Sequence, residues 1–547
     1  EQMNPLKLLI IGGVAAGASF AARARRLDES AEITMIERGN DVSFANCGLP
    51  YHVGGEITDR DVLAVQTPAS LKAMLNVNAR TRCEAIRIDR QNKKVQVRDL
   101  STGREEWLSY DKLMLSPGAA PRVPAIEGVD NPRIHVLRNL SDMDRIIADT
   151  AAGMQAVVVG AGFIGLEMAE QLHRKGLKVK IIQKGPHVLP QVDGRMAVPL
   201  ERALASHGIE LFTNDEVVRF EKGDASLVCH LASGKTLPAD VVILSIGIEP
   251  ESKLAREAGL KLGKRGHIVV NEFMQTSDPD IYAAGDAVET TDRVFGKPVA
   301  IALGGPANRQ GRVAADHLFL GDKARPYPGS LGTAIVRVFD VAAGSTGWTE
   351  NRLKASGLPY AVTTVNDVHH ASYYPGAQMV TLTILWDPET GRLLGAEAVG
   401  IAGVDKRLDV LATAITANMT IDDICHLELA YAPPFGSAKD VINIAGFAAC
   451  NQRDGLVDVT TALPSDPSVQ VIDVRGKPVA QASPVPGSVN IPVPSLRDNL
   501  DKIDRNRPVV TVCALGKNSY FASRILRQNG FNVTSLAGGL TALTEKP

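Results

Sequence analysis

The first half of the chain alternates short apolar runs with glycine turns and helical segments. Residues 6–11 are apolar except for Lys7 and lead to the turn GGVAAG, residues 12–17, which is followed by a helix of small residues. Residues 33–36 form the next apolar run, and Glu37 follows it directly. Short apolar runs bounded by turn residues are typical of buried strands. The pattern predicts strand, glycine turn, helix and strand, with an acidic residue closing the second strand.

This spacing suits the pyrophosphate of a dinucleotide. Glycines let the backbone approach the phosphates, the helix N-terminus favours their negative charge, and an acid can accept a hydrogen bond from a ribose hydroxyl. Glu37 stands 20 residues after Gly17, as that role requires. Val14 occupies the position where the fingerprint GxGxxG normally has its second glycine. On this unit alone, a purely structural turn explains the sequence equally well.

The same pattern returns further along the chain, now with all three glycines, Gly160, Gly162 and Gly165. Two such units in one chain are much harder to obtain by chance than one, so the sequence predicts two nucleotide sites. The second unit consists of a strand at residues 155–159, the turn GAGFIGLE at 160–167, a helix at 166–175 and a strand at 178–182.

A third segment, TSDPDIYAAGDAVE at residues 276–289, delivers Asp286 directly after a short strand and Gly285. A carboxylate there can accept hydrogen bonds from a polyol chain, although an Asp that merely caps a helix has the same local sequence. Residues 110–121 and 239–250 each predict a further strand that closes on a glycine turn.

Composition limits the class of protein. A chain of 547 residues is too long for one core and predicts about three or four domains. A net charge of -2 gives no reason to expect nucleic acid or an anionic membrane as a partner. The chain has no apolar run of ~18 residues for a membrane span, and its start predicts no signal peptide. Six scattered cysteines without metal-like spacing argue against a metal site and indicate a reducing, cytoplasmic setting, in which each cysteine would act singly.

The order of these motifs resembles the flavoprotein disulfide reductases with two dinucleotide-binding domains, over residues 3–449. The resemblance implies an α/β fold with an FAD-binding domain (residues 1–118 and 246–328), an NAD(P)H-binding domain (119–245) and an α+β dimerisation domain (329–450). It assigns to the cofactors Gly12, Gly13, Ala15, Ala16, Gly17, Glu37, Arg38, Ser43, Asn46, Gly118, Gly160, Gly162, Phe163, Ile164, Gly165, Glu167, Gln183, Gly247, Gly285, Asp286 and Ala302.

The choice between NADH and NADPH depends on the end of the second strand of the second unit. An acid there binds the 2′-hydroxyl of NADH, and a cation accommodates the 2′-phosphate of NADPH. Gln183 does neither decisively, and Lys184 beside it could tolerate the phosphate. We expect NADH to be preferred, with some use of NADPH.

The segment SFANCGLPY, residues 43–51, carries a single cysteine, Cys47. A buried structural cysteine is the general alternative, but this motif resembles the branch of coenzyme A disulfide reductases and NADH oxidases or peroxidases. The oxidases and peroxidases place a histidine in the first glycine turn, and GGVAAGAS has none. The resemblance therefore implies a catalytic Cys47 that forms a mixed disulfide with coenzyme A. A position at a helix N-terminus predicts a lowered pKa for its thiol.

Two later segments, HASYYPGA (370–377) and YAPPFGSAKD (431–440), resemble parts of the coenzyme A disulfide reductases that reach the partner subunit's active site. The resemblance implies that Tyr373 and Tyr431 donate to a leaving thiolate in trans, in a homodimer; without it, simple packing explains both tyrosines. Arg23, Arg26 and Lys72 are candidates for holding coenzyme A, although such residues are commonly just solvated.

The C-terminal part predicts a separate domain after a polar linker, residues 451–465. A buried strand delivers Cys513 into the loop CALGKNS before a helix at residues 520–528, which would surround an anionic sulfur with backbone N–H groups. With IDVR and PGSVNIP before it, residues 466–547 resemble a rhodanese domain. Lys517 and Asn518 stand where many rhodaneses carry an arginine, and inactive rhodanese folds exist, but the retained Cys513 favours a carrier of sulfane sulfur.

Taken with the resemblance, these features predict a cytoplasmic FAD- and NAD(P)H-dependent oxidoreductase. Its expected substrates are coenzyme A persulfide, coenzyme A disulfide and, as a further candidate, polysulfide. Two alternatives stay open at this point. One is an NADH oxidase or peroxidase, and the other is a sulfurtransferase relay centred on Cys513.

Overall fold

Four five-stranded sheets organise the chain in a computed structural model that describes residues 4–543. The chain divides into two units. The first comprises Glu1–Lys184 and Ile209–Gly332, and the second comprises Gly185–Gly208 and Thr333–Pro547. In the described residues, no helix combines the length and apolarity that crossing a membrane requires.

The first unit begins with a parallel sheet whose central strands are almost completely buried. The carboxyl ends of its strands meet at one edge, which is where ligands bind in open α/β sheets. Helices Ala15–Leu27 and Gly304–Leu320 can pack closely because Gly311 has no side chain. A Cβ at this position would lie 2.4 Å from the Ala16 carbonyl oxygen. The strands in spatial order are Ile281–Ala283, Lys112–Leu115, Lys7–Ile11, Glu32–Ile36 and Val77–Arg80.

A second parallel sheet in the same unit repeats this arrangement. Helix Phe163–Arg174 follows its central strand, three residues earlier than predicted, because the helix begins directly after Gly162. Helix Leu140–Asp149 begins at the capping residue Asn139. The strands in spatial order are Glu210–Phe212, Lys178–Ile182, Gln155–Val159, Val241–Leu244 and Ile134–His135.

Smaller elements complete the first unit. Three three-stranded sheets are formed by Cys83–Asp89, Lys94–Asp99 and Glu105–Ser109, by Val217–Lys222, Leu227–Leu231 and Thr236–Ala239, and by Ile268–Val269, Val288–Thr291 and Pro298–Val299. Strand Ala119–Pro121 pairs with strand Ile248–Pro250. The two strands lie where the chain is predicted to pass from the FAD-binding domain to the NAD(P)H-binding domain and back. The remaining helices are Leu49–Val53, Pro68–Leu75 and Lys253–Glu257, with 3-10 turns at Asn46–Gly48, Arg60–Leu63 and Gly321–Lys323.

The second unit opens with an antiparallel sheet. Segment 185–208, which the sequence predicts as part of the NAD(P)H-binding domain, packs within this unit. The amide N–H of Asp193, the capping residue of helix Gly194–Ser206, donates to Glu397 on the sheet at 2.9 Å. The strands in spatial order are Ala334–Val338, Val341–Gly347, Leu393–Gly400, Met379–Trp386 and Ala361–Val368, and the other helices are Glu350–Ser356, Val404–Thr416, Ile421–Cys425 and Val441–Arg453.

A parallel sheet forms the C-terminal part of the second unit. The predicted linker comprises residues 451–465. Helix Val441–Arg453 continues into it, and Val459–Thr460 pairs with Val533–Leu536 as an edge strand. Residues 544–547 of the predicted domain lie outside the described residues. The strands in spatial order are Val459–Thr460, Val533–Leu536, Val509–Val512, Gln470–Asp473 and Val489–Asn490, and the helices are Lys477–Ala482, Val493–Leu496 and Lys517–Gln528, with 3-10 turns at Arg497–Lys502 and Leu540–Ala542.

Candidate active site

The first glycine turn has no room for side chains where the chain leaves the sheet. Gly12 has a φ of +94°, and a Cβ there would lie 1.9 Å from the carbonyl oxygen of Ser116. A Cβ at Gly17 would lie 2.0 Å from the carbonyl oxygen of Gly12. Both glycines are therefore required for the helix Ala15–Leu27 to start against the strand end, as the first and third glycines of the fingerprint are.

Glu37 is held beside this turn by backbone hydrogen bonds. Its Oε1 accepts from the Gly13 amide at 3.0 Å, and its Oε2 accepts from the Gly39 amide at 2.7 Å. Each carboxylate oxygen has a further lone pair available. The acid is thus fixed beside the turn and can still accept a hydrogen bond from a hydroxyl group.

The second glycine turn reproduces the first, contact by contact. A Cβ at Gly160 would lie 2.0 Å from the carbonyl oxygen of Ser245, and one at Gly165 would lie 2.0 Å from that of Gly160. Gln183 takes the place of Glu37, and its Oε1 accepts from the Ala161 amide at 3.0 Å. At Gly162, by contrast, an added Cβ would meet nothing within 4 Å. Packing does not explain that glycine, and the open space fits the approach of a pyrophosphate.

The Asp286 segment lies against the first turn. A Cβ at Gly285 would lie 3.3 Å from the Cβ of Ala16, and the Gly285 amide donates to Gln310 at 2.8 Å. Burial raises the pKa of Asp286, and the charge of Arg138 opposes that shift. Among the residues that the structure describes, none donates a hydrogen bond to this carboxylate, which leaves it able to accept from a bound polyol.

The other residues assigned to the cofactors divide into turn formers and paired groups. Ser43 has a φ of +44° and donates its amide to the Gly13 carbonyl at 2.7 Å. Arg38 is half exposed and pairs with Glu251 at 2.8 Å. Gly118 and Gly247 both have a positive φ. Phe163, Ile164 and Glu167 lie in the first turns of helix Phe163–Arg174. Asn46 directly precedes Cys47, and Ala302 lies two residues before helix Gly304–Leu320.

Cys47 is exposed and lies in the 3-10 turn Asn46–Gly48, ahead of the short helix Leu49–Val53. Burial of the sulfur raises the pKa of Cys47, and the negative charges of Glu167 and Asp286 raise it further. The predicted lowered pKa is therefore wrong, because burial and the charges of two carboxylates disfavour the thiolate. Glu167 belongs to the helix that follows the second glycine turn, and Asp286 follows Gly285.

Tyr373 and Tyr431, 58 residues apart in sequence, meet in the second unit. Their hydroxyl oxygens are 3.1 Å apart, and the hydrogen bond to Tyr431 raises the pKa of Tyr373. Both side chains are exposed, by 74% and 50%, and Phe435 beside Tyr431 in the sequence is exposed as well. The two tyrosines therefore form one exposed pair of hydroxyl groups.

The three basic residues proposed for coenzyme A differ in their surroundings. Arg23 is bound to Asp316 at 2.5 Å, Lys72 donates to Asn76 at 2.7 Å, and Arg26 is exposed. Buried Arg25, which the sequence did not single out, joins helix Ala15–Leu27 to helix Pro68–Leu75. Its guanidinium group donates to backbone carbonyls at the end of the second helix. Three exposed apolar side chains on the segment after Cys47 also went unnoticed, because they follow no regular period: Val62, Val65 and Met74.

Cys513 follows the buried strand Val509–Val512 and is only 3% exposed. Its Sγ accepts hydrogen bonds from the amides of Gly516 at 3.0 Å and Ser519 at 3.2 Å. The predicted cradle of N–H groups around this sulfur is present in the structure. Lys517 and Asn518 are exposed, whereas Arg475 is buried in an ion pair with Asp473 at 2.8 Å.

The remaining cysteines correct the expectation that each acts singly. Cys83 and Cys229 are buried, but the sulfur atoms of Cys425 and Cys450 are 3.8 Å apart. Across the part of the chain that the structure describes, no three histidine, cysteine, aspartate or glutamate side chains gather as a metal site would require.

Comparison with known proteins gives three family matches. Residues 6–311 match the pyridine nucleotide-disulphide oxidoreductases, residues 333–440 match the dimerisation domain of the same family, and residues 457–546 match a rhodanese-like domain.

Individual relatives match over most or all of the chain. A coenzyme A disulfide reductase of Staphylococcus haemolyticus is 37% identical over 449 residues, which cover 81% of this chain and 99% of that protein. The structure of reduced CoADR-RHD from Bacillus anthracis is 41% identical, covers both chains fully and superposes with a TM-score of 0.94. An NAD-dependent persulfide reductase from A. fulgidus is 39% identical, covers 98% of this chain and 100% of its own, and has a TM-score of 0.93.

Proposed function

The chain belongs to the pyridine nucleotide-disulphide oxidoreductase family, and from this premise we propose that it uses NAD(P)H and FAD to reduce coenzyme A persulfide and coenzyme A disulfide at Cys47. The family, the α/β fold class and the fused rhodanese-like domain predicted from the sequence are confirmed. Similarity to coenzyme A disulfide reductases and to a persulfide reductase supports both substrates.

The first glycine turn, Glu37 and Asp286 would hold FAD, since they offer a phosphate cradle, a fixed acid and a carboxylate to which no described residue donates a hydrogen bond. Bound FAD would accept a hydride from NAD(P)H and make two electrons available to a sulfur atom. Gly162 would face the pyrophosphate of the nicotinamide dinucleotide.

Gln183 would allow the second nucleotide site to accept both NADH and NADPH. Its Oε1 accepts from the Ala161 amide, and no described residue accepts from its NH₂ group, which can therefore donate to either a hydroxyl or a phosphate. Lys184 is exposed and pairs with Glu216 at 3.1 Å, so its positive charge is partly neutralised. NADH is therefore the preferred donor, and NADPH is accepted less well.

Cys47 acts as the nucleophile. Its thiolate attacks the coenzyme A sulfur of the persulfide, which forms the mixed disulfide Cys47–S–S–CoA and expels HS⁻. With coenzyme A disulfide, the same attack expels a coenzyme A thiolate. Two electrons that originate in NAD(P)H then cleave the mixed disulfide, which restores the Cys47 thiolate and releases the coenzyme A thiolate.

Burial and two carboxylates raise the pKa of the Cys47 thiol, which must lose its proton before the attack. The expelled sulfur leaves as an anion that hydrogen-bond donors stabilise. We assign this donation to Tyr373 and Tyr431, whose hydroxyl oxygens lie 3.1 Å apart. Their exposure in a dimerisation domain supports their delivery to the partner's Cys47 in a homodimer.

The nucleotide end of coenzyme A would bind near helices Ala15–Leu27 and Pro68–Leu75. Arg26 and Lys72 are exposed there, and Arg23 would have to exchange Asp316 for a phosphate. The exposed apolar side chains of Val62, Val65 and Met74 suit the pantetheine part. An enzyme that uses NAD(P)H and a free thiolate operates in a reducing setting, so we place it in the cytoplasm.

The rhodanese-like domain would supply the persulfide. A Cys513 persulfide transfers its outer sulfur to the coenzyme A thiol, which yields coenzyme A persulfide and leaves the Cys513 thiolate. The two N–H groups that point at its Sγ stabilise that thiolate.

The observation that carries this proposal is the exposed Cys47 in the turn ahead of helix Leu49–Val53, in the same unit as both glycine turns. The test is anaerobic NADH oxidation with coenzyme A persulfide, coenzyme A disulfide and polysulfide in parallel. Wild type should turn over the first two, Cys47→Ser should lose at least about 100-fold, and Cys83→Ala should remain active. Full turnover by Cys47→Ser would overturn the proposal, and rapid NADH consumption that requires only oxygen would favour an oxidase.

A further inference from the structure

The sulfur loop of the rhodanese-like domain is held by a residue of the dimerisation domain. Asn366 lies on strand Ala361–Val368, and its side-chain Nδ2 donates to the carbonyl oxygens of Leu515 at 3.0 Å and Gly538 at 2.9 Å. Its Oδ1 accepts from the hydroxyl of Thr381 on the next strand at 2.5 Å. All the hydrogen-bonding groups of this amide thus have partners, which fixes its orientation.

The Leu515 carbonyl belongs to the peptide group that serves Cys513. The other end of that peptide is the Gly516 N–H, which donates to the Cys513 Sγ at 3.0 Å. Because a peptide group is planar, fixing its carbonyl also fixes the direction of its N–H. A hydrogen bond to the carbonyl polarises the peptide and makes the N–H a stronger donor.

The Gly538 carbonyl belongs to the loop that closes over the same site. A Cβ at Gly539 would lie 2.4 Å from the Ala514 carbonyl oxygen, and the Leu540 amide donates to the Cys513 carbonyl at 2.9 Å. A Cβ at Gly538 would lie 2.9 Å from Thr364, two residues before Asn366. One side chain of the dimerisation domain therefore ties together both loops around the sulfur.

We propose that Asn366 is a positioning residue for sulfur transfer at Cys513, so that the dimerisation domain completes the rhodanese-like site. This inference rests on the proposed role of Cys513 as a sulfur carrier. Without the Asn366 amide, the peptide of Leu515 and Gly516 can rotate, and the sulfur anion loses its nearest donor. Directly removing a donor from an anion hole costs about 10²- to 10³-fold in rate, and loss of an indirect anchor should cost about tenfold.

The chain offers a matched control in Asn451. Its Nδ2 donates to the Tyr520 hydroxyl on the helix after Cys513 at 3.0 Å, and among the described residues its side chain makes no hydrogen bond to the loops around Cys513. Asn366→Ala, Asn366→Asp and Asn451→Ala are compared with wild type as purified holoenzymes. Asn366→Asp replaces the donor with a carboxylate that faces two carbonyl oxygens.

Two readouts separate positioning from a merely structural role. The first is the pH profile of Cys513 alkylation by iodoacetamide, followed by mass spectrometry, and the second is sulfur transfer from thiosulfate or inorganic polysulfide to coenzyme A. We expect Asn366→Ala to move the alkylation midpoint upward by about one pH unit and to slow transfer about tenfold. Asn366→Asp should move the midpoint at least as far, and Asn451→Ala should match wild type.

An unchanged midpoint and transfer rate in Asn366→Ala would overturn the inference, as would equal effects in Asn451→Ala. NADH-dependent reduction of coenzyme A disulfide should stay within about twofold of wild type in all variants, because that reaction does not use Cys513. If wild-type Cys513 takes up no sulfur, the proposed carrier function fails, but the alkylation profile still decides the role of Asn366.

Discussion

The sulfur atoms of Cys425 and Cys450 lie 3.8 Å apart, on helices that meet closely because Gly446 has no side chain. A Cβ at Gly446 would stand 2.9 Å from the Cys425 sulfur. A disulfide needs about 2 Å between its sulfurs, so a small shift is enough to close this pair. Both cysteines are partly exposed and can be reached by small oxidants.

We expect a small-molecule disulfide or diamide to link Cys425 to Cys450. With a disulfide, the Cys425 thiolate displaces one thiol, and Cys450 then displaces the second from the mixed disulfide. Burial raises the pKa of Cys425 and raises that of Cys450 to about 12, so closure should speed up about tenfold per pH unit above neutrality. Non-reducing peptide mapping detects the link, and Cys425→Ser is the control. Failure of the cross-link to form at pH 9 would contradict the prediction.

The reactivity of Cys47 should depend on a neighbouring carboxylate. Burial and the charges of Glu167 and Asp286 raise the pKa of the Cys47 thiol, so its alkylation should increase as the pH rises above the ordinary range of a cysteine. Glu167→Gln removes one negative charge and should lower the midpoint, with a several-fold faster alkylation at pH 8. Glu29→Gln, an exposed change on the same unit, should have no effect. A midpoint that does not move in Glu167→Gln would show that its charge does not reach the sulfur.

The local motifs were predictable from the sequence, because each depends on residues close together in the chain. The strands Gln155–Val159 and Lys178–Ile182 agree with their predicted limits, since a continuous apolar run between turns defines a buried strand. The structural role of Gly12 and Gly160 was predictable, because the tight turn before each helix leaves no room for a side chain there. Cys513 and its N–H donors lie within one loop of seven residues.

Contacts between distant segments could not be predicted. Asn366 binds a carbonyl 149 residues away, and Cys425 meets Cys450 across two helices, with no spacing that announces either contact. The edge strand Val459–Thr460 has two residues in a polar segment, too short for a periodic signal. The pKa of Cys47 depends on carboxylates that only the fold brings near it.

A buried acid on the second-unit sheet should make stability fall with rising pH. Burial raises the pKa of Glu397 to about 8, and its Oε2 has no hydrogen-bond partner in the described residues. The folded state therefore keeps the proton up to about pH 8, whereas the unfolded chain loses it near pH 4.3. The resulting contribution to the free energy of unfolding is complete below about pH 4.3 and is lost between about pH 4.3 and pH 8, by about 1 kcal/mol per pH unit.

Glu397→Gln removes that dependence while keeping the shape of the side chain. Its melting temperature should exceed that of wild type at pH 8.5 and lie close to it at pH 5. Glu389→Gln, at an exposed position, should behave like wild type at both values. Equal melting shifts at pH 5 and pH 8.5 in Glu397→Gln would show that proton uptake is not the cause.

The two tyrosine hydroxyls should act as one unit. Because they lie 3.1 Å apart and share a hydrogen bond, removing either one breaks the same hydrogen-bond-donating pair. Tyr373→Phe and Tyr431→Phe should each lower kcat for coenzyme A persulfide by about 10- to 100-fold, and the double variant should lose little more. Tyr374→Phe, an exposed neighbour, is the control. Multiplicative losses in the double variant would mean that the hydroxyls act independently.

Mixing two inactive variants decides whether the tyrosines serve the partner's Cys47. In a heterodimer of Cys47→Ser with Tyr373→Phe/Tyr431→Phe, action in trans gives one site with both defects and one intact site. Action in the same subunit leaves every site with a defect. Random reassembly makes about half of the dimers mixed, so action in trans should restore on the order of a quarter of wild-type activity. Activity that stays at the level of the separate variants, in a mixture shown by mass to contain heterodimers, would rule out action in trans and require each subunit to use its own tyrosines.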